Sequence, residues 1–355
     1  MNFPNINRKI ITFFLSVLLS IFCLGSTLGC LPAYAALDSW NETPQKQAII
    51  DFVDKIIADG VPVKDRIAVF DNDGTLWAER PRYFQEDFIN TGFELSKRKV
   101  KKMDTIGGHT ISEEGKTFLS EIPVISELTT GQYKSLARSF LDTIHSSVTS
   151  DDEGGYQRFD TAYINLTYKP VIELVNYLKD NDFKVYICSG GGIYFIRSFS
   201  DEAYGIPSEE VIGLAIKTLY DKSNTTDGLG GSLVFQLELV HYNDQEGKPV
   251  GIELFIGKRP LIAVGNASGD FEMFKYTDAG VGNSLIVLIN HDDCEREYQY
   301  NDVPGSTHLE DDVEVPDNKS LDYAQNHENW IVASMKDDFN TIFDPTPSRT
   351  PPVCN

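Results

Sequence analysis

Asp71-Asn72-Asp73-Gly74-Thr75 places two carboxylates two positions apart, directly after the apolar run Arg66 to Phe70. A strand that stops at such a pair sets both acids side by side at a sheet edge, and open α/β sheets bind ligands at that edge. A calcium loop of the EF-hand type would carry Gly at its sixth position and Glu at its twelfth. Here Gly74 is fourth and Arg82 twelfth, so the spacing excludes it. A merely solvated turn stays open. Farther on, Ser189-Gly190-Gly191-Gly192 follows a second apolar run, Lys184 to Cys188. Small residues opening a helix let backbone N–H groups approach an anion, a phosphate oxygen above all.

Asp71-x-Asp73-Gly74-Thr75 resembles the first signature of the haloacid dehalogenase superfamily. The resemblance implies that Asp71 attacks phosphorus to give a phospho-aspartyl intermediate. Asp73 then protonates the leaving oxygen and later deprotonates water. Such a division needs two environments, one carboxylate ionised and the other holding a proton it can donate. The dehalogenases themselves lack the second acid, and P-type pumps carry Thr there. Ser189 matches the family's phosphate-binding hydroxyl, with Gly190 beside it.

For the family's lysine, Lys248 and Lys258 compete. Lys248 opens a predicted helix, Pro249 to Ile256, and fits better than Lys258, which lies two residues before the run Pro260 to Val264. A cation there offsets the repulsion between Asp71 and an incoming phosphate, which a water-poor site magnifies. The last signature matches Gly265-Asn266-Ala267-Ser268-Gly269-Asp270, with one departure: Asn266 stands where the family carries Asp. An amide oxygen still suits Mg2+, a hard cation, but brings no charge. The implied metal ligands are Asp71, the Asp73 carbonyl and Asn266, with Asp270 beside them. The likeness runs from about residue 45 to about residue 290.

These residues need a scaffold. Thr43-Pro44, followed by Ile49, Ile50, Phe52, Val53, Ile56 and Ile57, predicts a helix that stops before Gly60. Arg66 to Phe70, Lys184 to Cys188, Pro260 to Val264 and Leu285 to Ile289 are short apolar runs with turn residues at their ends, and Pro170 to Leu178 is helical in period. This alternation describes an α/β, Rossmann-like, doubly wound and mainly parallel sheet. Residues 78–166 break the rhythm. Tyr83 to Val100, Glu113 to Glu121 and Gln132 to Val148 are charged and helical in period, punctuated by Gly107-Gly108 and by Asp151 to Gly155. They predict a helical cap, leaving 36–77 and 167–344 as the core. Such a cap excludes water and contributes substrate contacts. Asn224 to Gly231 predicts a loop, His308 to Asp317 an acidic exposed stretch, and 345–355 a disordered, Pro-rich tail.

Candidate substrate contacts are Trp77, Arg80, Arg82, Tyr83 and Arg197, each equally readable as core or surface. His291-Asp292-Asp293 lacks a second His at ligand spacing, so a polar strand-end turn is the preferred reading.

Residues 1–35 predict a signal peptide: Arg8 and Lys9, the apolar run Ile10 to Leu24, then Ala33-Tyr34-Ala35. The run is short for a membrane span. A lipoprotein ending on Cys30 is the alternative, although Thr27 stands where such signals usually carry Leu. The chain has 31 basic and 53 acidic residues, a net charge of −22. That balance repels nucleic acid and anionic lipid, so neither is an expected partner. Beyond the leader lie Cys188, Cys294 and Cys354, too few for a disulfide framework. Cys188 reads as a buried thiol, and whether Cys294 and Cys354 pair is left open.

The expected activity is that of an exported, periplasmic or secreted, Mg2+-dependent phosphatase acting on a small phosphorylated substrate. A phosphotransferase on the same fold and a non-catalytic phosphate- or metal-binding relative are the alternatives.

Overall fold

The computed structural model describes residues 37–92, 105–106, 109–110, 128–147, 158–225, 230–280, 283–300, 307–310, 313–316 and 318–349. The expected leader with Cys30, Gly107-Gly108, Glu113 to Glu121 and Asp151 to Gly155 lie outside them. Among the described residues no helix is long and apolar enough to cross a membrane.

Seven strands make the main sheet: β1 (Ile67–Phe70), β2 (Lys184–Gly192), β3 (Val211–Asp221), β4 (Ser232–His241), β5 (Ile262–Gly265), β6 (Leu285–Asn290) and β7 (Trp330–Ser334). Their spatial order is β7-β6-β5-β1-β2-β3-β4. All neighbours are parallel except β4, which runs antiparallel to β3 at one edge. From β1 the chain winds outward through β2, then returns to β5 on the other side. The carboxyl ends of β1 and β5 therefore flank a topological switch point.

Strand residues alternate between two apolar layers. Ala68 and Phe70 face one layer with Val185, Ile187, Ile262 and Val264. Ile67 and Val69 face the other with Tyr186, Cys188 and Ala263. Both faces are covered, which is why these strands read as unbroken apolar runs. Helices α1 (Pro44–Ala58) and α4 (Lys169–Asp180) bury Val53, Ile56, Val171 and Leu174 in the first layer. Helices α5 (Gly247–Phe255) and α6 (Phe271–Asp278) bury Ile252, Met273 and Phe274 in the second. Each fully buried aliphatic or aromatic side chain contributes about 1.5–3 kcal/mol. The fold is α/β, doubly wound and Rossmann-like.

Within 78–166 the described elements are α2 (Phe84–Gly92), α3 (Thr130–Leu141), two short 3-10 turns and a two-residue pairing of Thr105–Ile106 with His109–Thr110. A capping box between Thr129 and Gln132 starts α3. Phe88 of α2 meets Tyr133 and Phe140 of α3, with ring centroids 5.7 and 5.4 Å apart. It also meets Phe195, just beyond β2, at 5.7 Å.

Three strands escape the sequence pattern: β3, β4 and β7. The loop expected over Asn224 to Gly231 joins β3 to β4. The acidic stretch after His308 contributes a short antiparallel ladder, Thr307–Glu310 with Val313–Pro316. Strand β2 runs on through the glycines to Gly192, so the helix expected to open at Ser189 starts only at Ile193 and lasts four residues. In the expected tail, Arg349 Nη2 donates to the carbonyls of Cys294 and Glu297 at 2.8 and 2.5 Å. The Asp160 N–H donates to the Ser348 carbonyl at 2.9 Å. Residues 350–355 lie outside the described residues. Cys294 is disulfide-bonded and Cys188 is a buried free thiol, which desolvation pushes up to about 12.

Candidate active site

The loop after β1 is pinned on every side. The Asp71 N–H donates to the Val264 carbonyl of β5 at 2.9 Å. The Asn72 carbonyl accepts from the Leu76 N–H at 2.8 Å, closing a tight turn. Gly74 sits in that turn at φ +69°, and a Cβ there would collide with the Asn266 side-chain amide. Only glycine satisfies both the backbone and the approach. Trp77, fully buried, donates from Nε1 to Asp73 Oδ1 at 2.7 Å and stacks on Phe199 with centroids 4.4 Å apart. Trp77 therefore orients Asp73, and its indole is closed to substrate.

Lys248 lies in the first turn of α5. Its Nζ donates to Asp71 Oδ1 and to Asp270 Oδ1, both at 2.7 Å. Lys258 instead pairs with Asp65 at 2.6 Å on the protein surface. Asp270 Oδ2 accepts from the N–H groups of Asn266 and Ala267 at 3.0 and 3.1 Å. Gly265, at the end of β5, leaves room for that carboxyl, which a Cβ would strike. Asn266 Oδ1 accepts from Thr75 Oγ1 at 3.2 Å, and Asn266 Nδ2 faces Glu79 Oε1 at 3.4 Å.

Asp71, Asp73, Lys248, Asn266 and Asp270 line one cavity of about 180 Å³, with Glu79, Tyr83, Asp244 and Gln245 among its other walls. Ser189 and Gly190 do not line it. The Ser189 hydroxyl is buried and accepts from the Gly191 N–H at 3.0 Å, while its carbonyl accepts from Asn243 Nδ2 at 2.8 Å. The Gly192 N–H donates to Gln85 Oε1 of α2 at 2.8 Å. The Gly191 and Gly192 N–H groups expected to face an anion are thus engaged within the protein.

Five carboxylates (Asp71, Asp73, Glu79, Asp244 and Asp270) face one ammonium across this cavity. Desolvation, with Asp270 adding to it, pushes the Asp71 carboxyl well above its ordinary range despite the Lys248 contact. Desolvation raises Asp73 to about 6, opposed by the Trp77 hydrogen bond. Burial works against the Lys248 charge, yet Asp270 and Asp71 outweigh it and hold the ammonium protonated. Asp71 is thus shifted upward chiefly by burial, and Lys248 by the two carboxylates that share it. Negative charge is left in excess.

A hard divalent cation would offset that excess. Among the described residues no three His, Cys, Asp or Glu side chains already converge as a ligand cage. Magnesium does not require one, since it keeps several waters and uses one or two carboxylates. The oxygen-rich donor set fits it.

Of the other candidates, Tyr83 reaches the cavity. Arg80 lies over the Tyr300 ring, 4.5 Å from its centroid. Arg82 pairs with Glu86 at 3.6 Å, and Arg197 donates to the Val211 carbonyl at 3.2 Å. Asp292 accepts from Ser334 Oγ at 2.6 Å, and Asp293 pairs with Arg296, as a polar strand-end turn requires. His291 does more. Its Nε2 meets the Gly74 carbonyl at 2.7 Å and its Nδ1 meets Glu297 Oε2 at 3.2 Å, tying the Asp71 loop to Glu297. Glu79, Asp244 and His291 carry no motif. Their proximity to the site arises only from chain folding.

No protein-family model matches this chain, and no curated protein matches it. Among solved structures it is similar to a conserved protein of unknown function from Anaerococcus prevotii, at 16% identity and TM-score 0.44, over 70% of this chain and 86% of that one. A phosphoserine phosphohydrolase-like protein from Francisella tularensis aligns at 17% identity and TM-score 0.33, over 64% and 88%. A probable phosphoserine phosphatase from Vibrio cholerae aligns at 12% identity and TM-score 0.29, over 64% and 57%. Likenesses this distant do not decide an activity, and the α/β assignment stands on the strand order itself.

Proposed function

We propose that this chain is an exported phosphomonoester hydrolase of the haloacid dehalogenase type, with Asp71 as nucleophile and Mg2+ as its cofactor. The observation that carries the reading is the position of Lys248 Nζ, 2.7 Å from both Asp71 and Asp270 in a cavity at the switch point. Burying a lysine between two acids carries a desolvation cost that an apolar packing would avoid, which favours a functional role for the cluster. There the ammonium screens Asp71 from an approaching phosphate dianion.

In the proposed reaction an Asp71 carboxylate oxygen forms a bond to phosphorus while the bond to the leaving oxygen breaks. Asp73 gives its proton to that oxygen, so the alcohol departs neutral. Asp73, now ionised, takes a proton from water as the water attacks phosphorus. The Asp71–phosphorus bond breaks and inorganic phosphate leaves. Trp77 holds Asp73 in position through both steps. When bound, Mg2+ would supply charge stabilisation for the phosphoryl oxygens, held by Asp71, the Asp73 carbonyl, Asn266 and Asp270. A cavity of about 180 Å³ suits a phosphoryl group and a small leaving group; pockets for larger ligands run from about 300 Å³ upward.

The test is turnover of p-nitrophenyl phosphate with and without EDTA, for the wild type and Asp71→Asn. The wild type should hydrolyse the ester, lose activity in EDTA, and fall by several orders of magnitude on Asp71→Asn. Undiminished activity of Asp71→Asn rejects the reading. Added glycerol separates hydrolysis from transfer, since a phosphotransferase would release glycerol phosphate.

A further inference from the structure

We propose that Glu79 supplies the negative charge that Asn266 lacks, so that the two side chains together fill the metal-directed role of one aspartate. The inference rests on the metal-dependent reading above and assigns a further residue to the site.

Glu79 is 5% exposed and forms a wall of the same cavity as Asp71, Asp73 and Asn266. Its Oε1 lies 3.4 Å from Asn266 Nδ2. The missing Cβ of Gly74 marks the point where the three segments meet: a Cβ there would strike the Asn266 amide and lie 2.9 Å from Glu79 Cδ. The Asn266 amide has one consistent orientation, its oxygen accepting from Thr75 and its nitrogen turned to Glu79. Asn266 therefore contributes an uncharged oxygen, and the nearest added charge is the Glu79 carboxylate.

That carboxylate is poorly balanced by the protein. Among the described residues its ion pair is with Arg80 Nε, at 4.0 Å, and the Arg80 guanidinium also lies over the Tyr300 ring. A buried carboxylate whose ion pair sits at that distance is only partly compensated for its lost hydration. A chain that carries one beside a neutral amide, in a cavity already rich in acids, has arranged charge for a cation. Lys248 pairs with Asp71 and Asp270, each at 2.7 Å.

The experiment is calorimetric titration of MgCl2 into the full mature chain without substrate, for the wild type, Glu79→Gln, Asn266→Asp and the double variant. Glu79→Gln should weaken Mg2+ binding by about tenfold or more, with an unchanged or higher melting temperature in EDTA. Adding Asn266→Asp to Glu79→Gln should recover most of the affinity. Wild-type affinity in Glu79→Gln overturns the inference, as does a double variant no better than Glu79→Gln, or a wild type that takes up no Mg2+. If Glu79→Gln binds normally while Asp71→Asn still abolishes turnover, the inference fails and the hydrolase reading stands. If the affinities follow expectation but no phosphomonoester is cleaved, the hydrolase reading fails and the role of Glu79 stands.

Discussion

Lys248 Nζ lies 2.7 Å from Asp71 Oδ1, although 177 positions separate the two residues in the chain. One helix start and one strand end are brought together by the return of the chain across the sheet. The contact depends on the whole topology. Among the described residues neither forms an ion pair with a residue fewer than 22 positions away.

Lys248→Met removes the shared cation and leaves Asp71 and Asp270 buried against each other. Breaking a buried pair in this way costs about 3–5 kcal/mol. The urea midpoint at pH 7.5 should fall accordingly, and the gap to wild type should narrow as the pH is lowered and the stranded carboxylates take up protons. An unchanged midpoint at pH 7.5 would show that the pair is not held as described.

Trp77→Phe keeps a ring against Phe199 but deletes the Nε1–H donor to Asp73. That hydrogen bond pulls the Asp73 carboxyl down, against a desolvation that raises it to about 6. Without the donor the Asp73 pKa rises. The limb of the kcat/KM profile that belongs to Asp73 should therefore move to higher pH, with a stability loss of about 1–3 kcal/mol. A limb that stays in place or moves to lower pH would remove Asp73 from proton transfer.

His145 sets part of the acid stability. It is fully buried, accepts the Phe159 N–H at Nδ1 at 2.9 Å, and has Arg158 Nη1 3.5 Å from Nε2. Desolvation, with Arg158 second, lowers its pKa from 6.5 to about 3. The folded state thus binds fewer protons than the unfolded state between those values. The contribution is fully present above about 6.5 and is lost as the pH falls toward 3, by at most about 1.4 kcal/mol per pH unit. Denaturation curves from pH 7 to 4 should fall less steeply for His145→Asn than for wild type. Equal slopes would show that the ring is already charged or exposed.

Much of the scaffold was legible in the chain. Ile67–Phe70, Lys184 to Cys188, Ile262–Gly265 and Leu285–Asn290 are strands because an apolar run covered on both faces needs no polar alternation. Lys248 was separable from Lys258 because only one opens a helix. Strands β3 and β4 were not visible, since they mix apolar and polar residues and pair with each other antiparallel at an edge. The Ser189 turn was misplaced because three glycines carry no side chain to mark where a strand gives way to a helix. Glu79 and His291 could not be found by spacing. Glu79 meets Asn266 across 187 positions and His291 meets Gly74 across 217. Contacts at that separation are set by topology.

In the proposed reaction Asp71 carries the phosphoryl group. Acid quenching during turnover of p-nitrophenyl phosphate, borohydride reduction of any acyl phosphate, and peptide mass mapping read it directly. Homoserine at position 71 is expected in the quenched wild type. Turnover with an unmodified Asp71, or with the label on another carboxylate, would contradict it.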